Sequence, residues 1–268
     1  MRRYGRLLIP LCAVVSAATA AAASPTSLTD SEKEALLLKG SITRTEAIDH
    51  GVTQPIRATL SDGKFDHDAQ IQRIERELPP FIRDGKSFPN FDRWRYNVAA
   101  YRLDRLLELN MVPVTVSRPY QTKPAAFTWW VDNVMMEEVA RRKKELQAPD
   151  PEAFDRQIEL GKVFDELIIN IDRNLGNLLI TKDWQLVLID HTRSFTPYPN
   201  IRNTDNLNRC SRKLLANMKS LTKESVTKAE GDALTPQEID ALLQRRDKIV
   251  SFFEKRAAEK GEAAVMFP

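Results

Sequence analysis

The stretch at residues 170–195, NIDRNLGNLLITKDWQLVLIDHTRSF, decides how this chain is read. It carries Asp172, then Asn177 five positions later, then Asp190 at the end of an apolar run. Phosphoryl transfer asks for three such groups in that order. One acid orients or deprotonates the attacking hydroxyl, an amide holds a metal, and a second acid bridges the metal to the phosphates of a nucleotide. Asp172 and Asn177 are therefore the candidate catalytic residues. Asn177 and Asp190 are the candidate metal ligands, with Asp190 also on the nucleotide side.

An Asp and an Asn at this spacing mean little alone, because both are common turn formers. The flanks give the spacing its weight. Leu178-Leu179-Ile180 and Leu186-Val187-Leu188-Ile189 are short apolar runs separated by Thr181-Lys182-Asp183, the pattern of a hairpin with Asn177 and Asp190 at its open end. Upstream, Leu160, Val163, Phe164, Leu167, Ile168 and Ile171 recur with helical spacing, so a buried helix is expected to lead into the Asp172 loop.

Asp172-Arg173-Asn174-x-x-Asn177 followed by Leu188-Ile189-Asp190 and Phe195 resembles the DRHxxN and IDxxxxF motifs of the phosphatidylinositol 3-/4-kinase-like branch of the protein-kinase-like fold. Asn174 departs from that branch's His. More widely, the chain is similar to a bacterial group related to that branch and, more distantly, to HipA-type and secretory-pathway kinases. The likeness runs from about Leu28 to the C-terminus, through Tyr96-Asn97-Val98-Ala99-Ala100-Tyr101, Met111-Val112-Pro113-Val114 and Thr128-Trp129-Trp130-Val131. It implies an α+β, two-lobed kinase-like fold, with a small antiparallel β lobe over residues 24–131 and a mostly helical large lobe over 132–268. ATP and Mg²⁺ (or Mn²⁺) are the implied cofactors, and a hydroxyl on a protein or small molecule is the implied acceptor.

Within the expected small lobe, residues 41–48 and 52–60 read as two strands joined around Asp49-His50-Gly51. Ser61-Asp62-Gly63 is the next turn, before a third strand to about Ile74. A single Gly51 is a sparse phosphate loop, since several glycines usually expose the amides. Asp62, Asp66, His67 and Asp68 read as turn and strand residues rather than a metal site. Tyr96, Ala99, Ala100, Leu103 and Leu107 make a helical stripe. Residues 111–117 and 125–131 are strands four and five, and 130–134 the hinge, where Trp130 and Val131 would meet a nucleotide base. One of Trp129 and Trp130 is expected in the sheet core.

Two departures from the kinase pattern bear on activity. The position of the phosphate-contacting Lys falls near Gln70 or Gln72, and that of its Glu partner near Asn97. Lys64 in the turn, or Arg57 on the second strand, is a candidate replacement, with Gln72 beside the nucleotide. If neither cation serves, the fold is a pseudokinase acting as a binding module. His191 reads as a packing or metal-loop residue rather than a base.

The 268-residue chain is 42% hydrophobic and 29% charged, enough for a sizeable core. Residues 1–23 stand apart. Arg2, Arg3 and Arg6 precede an apolar run ending in Ala21-x-Ala23, the form of a secretory signal peptide cleaved before Ser24, with an uncleaved anchor as the alternative. An exported, periplasmic or secreted location follows. Losing those arginines takes the formal charge from +3 to zero, which argues against a nucleic-acid partner. The basic run Arg141-Arg142-Lys143-Lys144, in an expected helix over 135–147, reads as a solvated face or a contact for an anionic protein or membrane surface. Cys210 alone remains in the mature chain, so no internal disulfide is expected.

The C-terminal part reads as helices. One is expected at 206–221, with a polar connector at 222–234. Thr235-Pro236-Gln237-Glu238 is a capping box opening another helix, with Arg245, Arg246 and Lys248 expected on its wet side.

Overall fold

A computed structural model of the chain describes residues 28–48 and 55–268. The leader at 1–23 and the strand tip at Asp49, His50 and Gly51 lie outside the described residues.

A helix, α1 (Asp30–Lys39), opens on a capping box in which Thr29 and Glu32 satisfy each other's backbone amides. Strands β1 (Ser41–Ala47), β2 (Ile56–Ser61) and β3 (Asp66–Gln72) follow as expected. With β6 (Thr115–Tyr120) and β7 (Lys123–Trp129) they form an antiparallel sheet in the order β1-β2-β3-β7-β6. Strand alternation gives this sheet two unlike faces. Ala58, Leu60, Ala69, Ile71, Phe127 and Val116 point one way and are buried. Helices α1 and α2 (Arg95–Leu106) pack on β6 and β7, and α2 contributes Ala99, Ala100 and Leu103 to the same core. The other face carries Arg57, Thr59, Asp68, Gln70 and Thr128 toward the rest of the chain.

Between β3 and α2 lies a hairpin that the sequence reading does not include: β4 (Glu75–Arg83) and β5 (Lys86–Arg93). Its two-residue turn is Asp84-Gly85, both with positive φ (50° and 69°), the geometry that Asp-Gly favours in tight hairpins. A register shift between Leu78 and Phe81 absorbs Pro79-Pro80.

The remaining chain is mostly helical. After β7, residues 130–133 lead to β8 (Val134–Glu137) and the short α3 (Glu138–Lys143), where a longer helix is expected from sequence. Next comes α4 (Pro151–Ile168), capped by Asp150 and stopped by Ile169 in the left-handed region at φ 50°. The hairpin β9 (Leu178–Thr181) and β10 (Leu186–Leu188) forms as expected and is joined by β8 in a three-stranded sheet. At Gly161 α4 packs on that hairpin, where an added Cβ would meet Leu188 at an ordinary contact distance of 3.4 Å.

Helices α5 (Arg212–Ser220), α6 (Lys223–Glu230) and α7 (Pro236–Lys260) complete the lobe, with α8 (Glu262–Val265) leading to the tail. α5 starts six residues later than expected, because Ser211 caps it. The expected polar connector at 222–234 instead contains α6, held by its own capping box at Thr222 and Ser225. The tail folds back as β12 (Met266–Phe267) in parallel pairing with β11 (Cys210–Ser211). Arg245 corrects the expectation for α7: it is fully buried. Its guanidinium donates to the carbonyls of Leu167, at 2.8 Å, and Thr196, at 3.1 Å, and to that of Tyr198. Lys248 is exposed, and Arg246 donates to the carbonyls of Met218 and Leu221. No helix among the described residues is long and apolar enough to cross a membrane.

Candidate active site

The loop after α4 is built by polar contacts to its last turn. Asn170, fully buried, donates its backbone amide to the Asp165 carbonyl at 2.8 Å and accepts the amide of Asp172 on its side-chain oxygen at 3.1 Å. That contact fixes the backbone of Asp172 while leaving its carboxylate half exposed. Arg173 makes a bidentate pair with Asp165, Nε to Oδ2 at 2.8 Å and Nη2 to Oδ1 at 3.0 Å. Its remaining nitrogen, Nη1, donates to the carbonyls of Asn177 at 3.0 Å and Ile189 at 2.6 Å. One guanidinium thus ties the end of α4 to both strands of the β9–β10 hairpin. The Ile189 amide also donates to the Asn177 carbonyl, at 3.1 Å, so Asn177 and Asp190 sit together at the open end. Asn174, where the resembled branch has His, caps the turn by accepting the Gly176 amide at 2.9 Å.

Asp190 takes up positive φ (55°), which swings its carboxylate out of the strand, and Oδ1 accepts the Thr192 hydroxyl at 3.0 Å. The residue is open to the cleft, but both lobes surround it closely. That enclosure raises its carboxyl pKa, and the negative charge of Asp92 contributes less. His191 turns the opposite way and is buried. Its amide donates to Asn97 Oδ1 at 2.8 Å, and its ring stands edge-on to Phe164. Burial holds the imidazole pKa well below its usual value, so it is a neutral packing group. A carboxylate and a carboxamide carried on neighbouring backbone offer the hard-oxygen donors that suit Mg²⁺ or Mn²⁺.

Across the cleft, Gln70, Thr115, Thr128 and Asn97 line one narrow gap with Asp190. Gln70 is thus one of the small-lobe residues that face Asp190 across the gap. Gln72, one step along the same face, is buried and accepts the amides of Arg73 at 3.0 Å and Ile74 at 3.3 Å, which shapes the exit from β3. Lys64 is not brought to this end. It lies in the turn beyond the Ser61–Asp66 end of the ladder, and Gln70 is already four residues, about 13 Å, further along the strand. Arg57 is directly opposite Gln70 in that ladder, on the cleft face. It pairs with Asp68 at 2.6 Å, and its guanidinium covers the Trp130 ring at 4.3 Å. Trp130 extends the sheet by donating its amide to the Asp68 carbonyl at 3.0 Å. Val131 is half-buried and lines a 230 Å³ cavity with Trp129, Asp132 and Met111. Of the two tryptophans, Trp129 is the buried one, stacked on His67 with ring centres 3.6 Å apart. His67 is held in turn by Asp132, at 2.7 Å, and Asp68 by Arg57 and Thr59.

This architecture has known counterparts. A hydra Fam20 structure with sugar matches at TM-score 0.66 with 16% identity, over 88% of this chain and 91% of that one. The Golgi casein kinase matches at TM-score 0.59 with 15% identity, over 88% and 78% of the two chains, and its form with Mn/ADP bound at 0.58. The Helicobacter pylori proinflammatory kinase CtkA matches at TM-score 0.53 with 11% identity, over 84% and 98%. The fold is kinase-like. No protein-family model matches the chain, and no curated protein matches it by sequence. In this kinase-like fold the antiparallel sheet is the small lobe, and the helices that follow β8 make up most of the large one.

Two charged neighbours of the site go unremarked in the sequence reading. Asp92, at the end of β5, is fully buried, and its Oδ2 accepts from Arg76 at 2.8 Å and Arg193 at 3.0 Å. Arg193 also reaches Asp172, Nη1 to Oδ2 at 3.1 Å. The basic run in α3 is partly spent internally: Arg141 and Arg142 both donate to the buried Glu138, at 2.6 and 2.7 Å. Lys143 and Lys144 remain exposed.

Proposed function

We propose that the chain is an exported phosphotransferase that moves the γ-phosphoryl group of ATP to a hydroxyl of a protein or small molecule. The observation that supports this is the Arg173 hub, which ties the backbone beside Asp172 to the carbonyls of Asn177 and Ile189, next to Asp190. Asn177 and Asp190 would hold Mg²⁺ or Mn²⁺, which supplies charge neutralisation at the phosphates. Asp172 takes the proton of the acceptor hydroxyl, whose oxygen forms the new bond to the γ-phosphorus as the bond to the β-phosphate oxygen breaks and ADP leaves. Trp130 and Val131 would border the base, Gln72 would lie beside the nucleotide, and Arg57 is better placed than Lys64 to meet phosphate. The Golgi casein kinase with Mn/ADP supports the cofactor assignment by likeness of fold. Export rests on residues 1–23, and kinship with the phosphatidylinositol kinase branch rests on the motifs in 172–195.

A second reading, a pseudokinase used as a binding module, is favoured by Gln70 and Asn97 where kinases carry a Lys–Glu pair. ADP release in the presence of acceptor mixtures separates the two. Turnover by residues 24–268 that is lost in Asp172→Asn supports transfer. ATP binding without turnover supports the second reading, and absence of both contradicts transfer.

A further inference from the structure

We propose that Arg193 is the positioning residue of the site, holding the Asp172 carboxylate in place by anchoring it to the buried Asp92. This rests on the reading of Asp172 as the base. Arg193 lies three residues beyond Asp190, and its guanidinium spans two carboxylates from distant parts of the chain. Nε donates to Asp92 Oδ2 at 3.0 Å, and Nη1 pairs with Asp172 Oδ2 at 3.1 Å. The backbone fixes Arg193 as well: its carbonyl accepts the Ile171 amide at 3.2 Å, and the preceding Thr192 carbonyl accepts the Arg93 amide at 2.8 Å. The loop before Asp172 and the strand end carrying Asp92 are therefore both hydrogen-bonded to the segment that carries Arg193.

Asp92 is suited to be the anchor rather than the reacting group. It is fully buried, and a second guanidinium, Arg76 from the facing strand, shares Oδ2 at 2.8 Å. Asp172, by contrast, is half exposed. A half-exposed carboxylate on a loop samples several rotamers, and a base must sit within hydrogen-bond reach of the acceptor hydroxyl in one of them. Arg193 selects that rotamer without occupying it fully, since Oδ1 of Asp172 stays available to a hydroxyl. The planar fork of arginine suits the span, whereas lysine offers one compact charge that serves one carboxylate well. The chain Arg76–Asp92–Arg193–Asp172 also ties the β4–β5 hairpin to the loop of Asp172, giving that hairpin a task at the site.

The test compares the full mature chain with Arg193→Ala, Arg193→Lys and Asp92→Asn in two measurements. In ADP release, Arg193→Ala is expected to lower kcat roughly tenfold to a hundredfold with KM for ATP changed less than about twofold. Arg193→Lys restores part of the loss, and Asp92→Asn falls in the same direction. In amide hydrogen exchange, residues 171–174 exchange faster in Arg193→Ala and in Asp172→Asn, and the double variant is no faster than either. Unchanged kcat together with unchanged exchange overturns the proposal, as does a loss confined to KM. If the wild type neither turns over nor binds ATP, the phosphotransfer reading fails on its own. The exchange measurement then decides the clamp: faster exchange supports it, and unchanged exchange overturns it.

Discussion

At the scale of single residues, arginines organise this protein by donating to backbone carbonyls at its loop and helix ends. Arg173 serves the carbonyls of Asn177 and Ile189, and Arg245 those of Leu167, Thr196 and Tyr198. Removing such a donor leaves each buried carbonyl that has no second partner with its desolvation cost, about 1–3 kcal/mol apiece. Arg245→Ala is therefore expected to lower unfolding free energy by about 3–5 kcal/mol, read as a lower urea midpoint at unchanged slope. Arg173→Ala is expected to cost less, because the Asn177 carbonyl keeps the Ile189 amide, and to weaken ATP-dependent stabilisation, because one of the ties between Asn177 and Asp190 is lost. The grouping of Asp172, Asn177 and Asp190 could be read from sequence because the three fall within one segment whose geometry is local. Asp92 was not, because its partner Arg193 is 101 positions away and nothing in either neighbourhood announces the pairing. Arg245 had a signal that residue type overruled: it falls three positions after Leu242 and four before Ile249, on the inward stripe of α7.

At the scale of elements, capping and turn chemistry set most boundaries. Thr235 with Glu238 opens α7 as its capping box requires. The Asp84-Gly85 turn was as explicit a signal, but Pro79-Pro80 broke the alternation of β4 and hid the strand. Helix α6 was missed because its face toward α2 buries a glutamate, which a hydropathy pattern scores as surface. Glu230 is fully buried with no partner for either carboxylate oxygen, and burial raises its pKa well above the usual value. The sign follows from linkage. Between the unfolded value near 4.5 and the raised folded value, the unfolded chain releases a proton that the folded chain keeps. Stability is therefore full below that window and falls as pH rises through it, by about 1.4 kcal/mol for each unit of upward shift. Glu230→Gln should raise Tm at pH 7.5 and leave it nearly unchanged at pH 4. A Tm gain of equal size at both pH values would refute a buried neutral carboxyl.

At the scale of the whole molecule, one continuous apolar core runs from α1 through the small-lobe sheet and α4 to the tail. The cleft is thus a polar seam on a single packed body. The two-lobed α+β architecture was legible because periodicity switches from alternating to helical along the chain, and because the β9–β10 hairpin interrupts the helices at the motif. The relative places of Lys64 and Arg57 were not, since they depend on strand register. Arg57→Ala should weaken ATP binding, seen as a higher Kd by titration, while Lys64→Ala should leave it unchanged.

The central claim is that Asp190 and Asn177 hold a nucleotide through a divalent cation, and melting of residues 24–268 with ATP and Mg²⁺ or Mn²⁺ tests it most directly. The account predicts a metal-dependent rise in Tm, of about 2.7 kcal/mol in stability when ATP is at a hundred times its Kd, that vanishes in Asp190→Ala. A rise that persists in Asp190→Ala, or no rise at millimolar ATP with either metal, would contradict it.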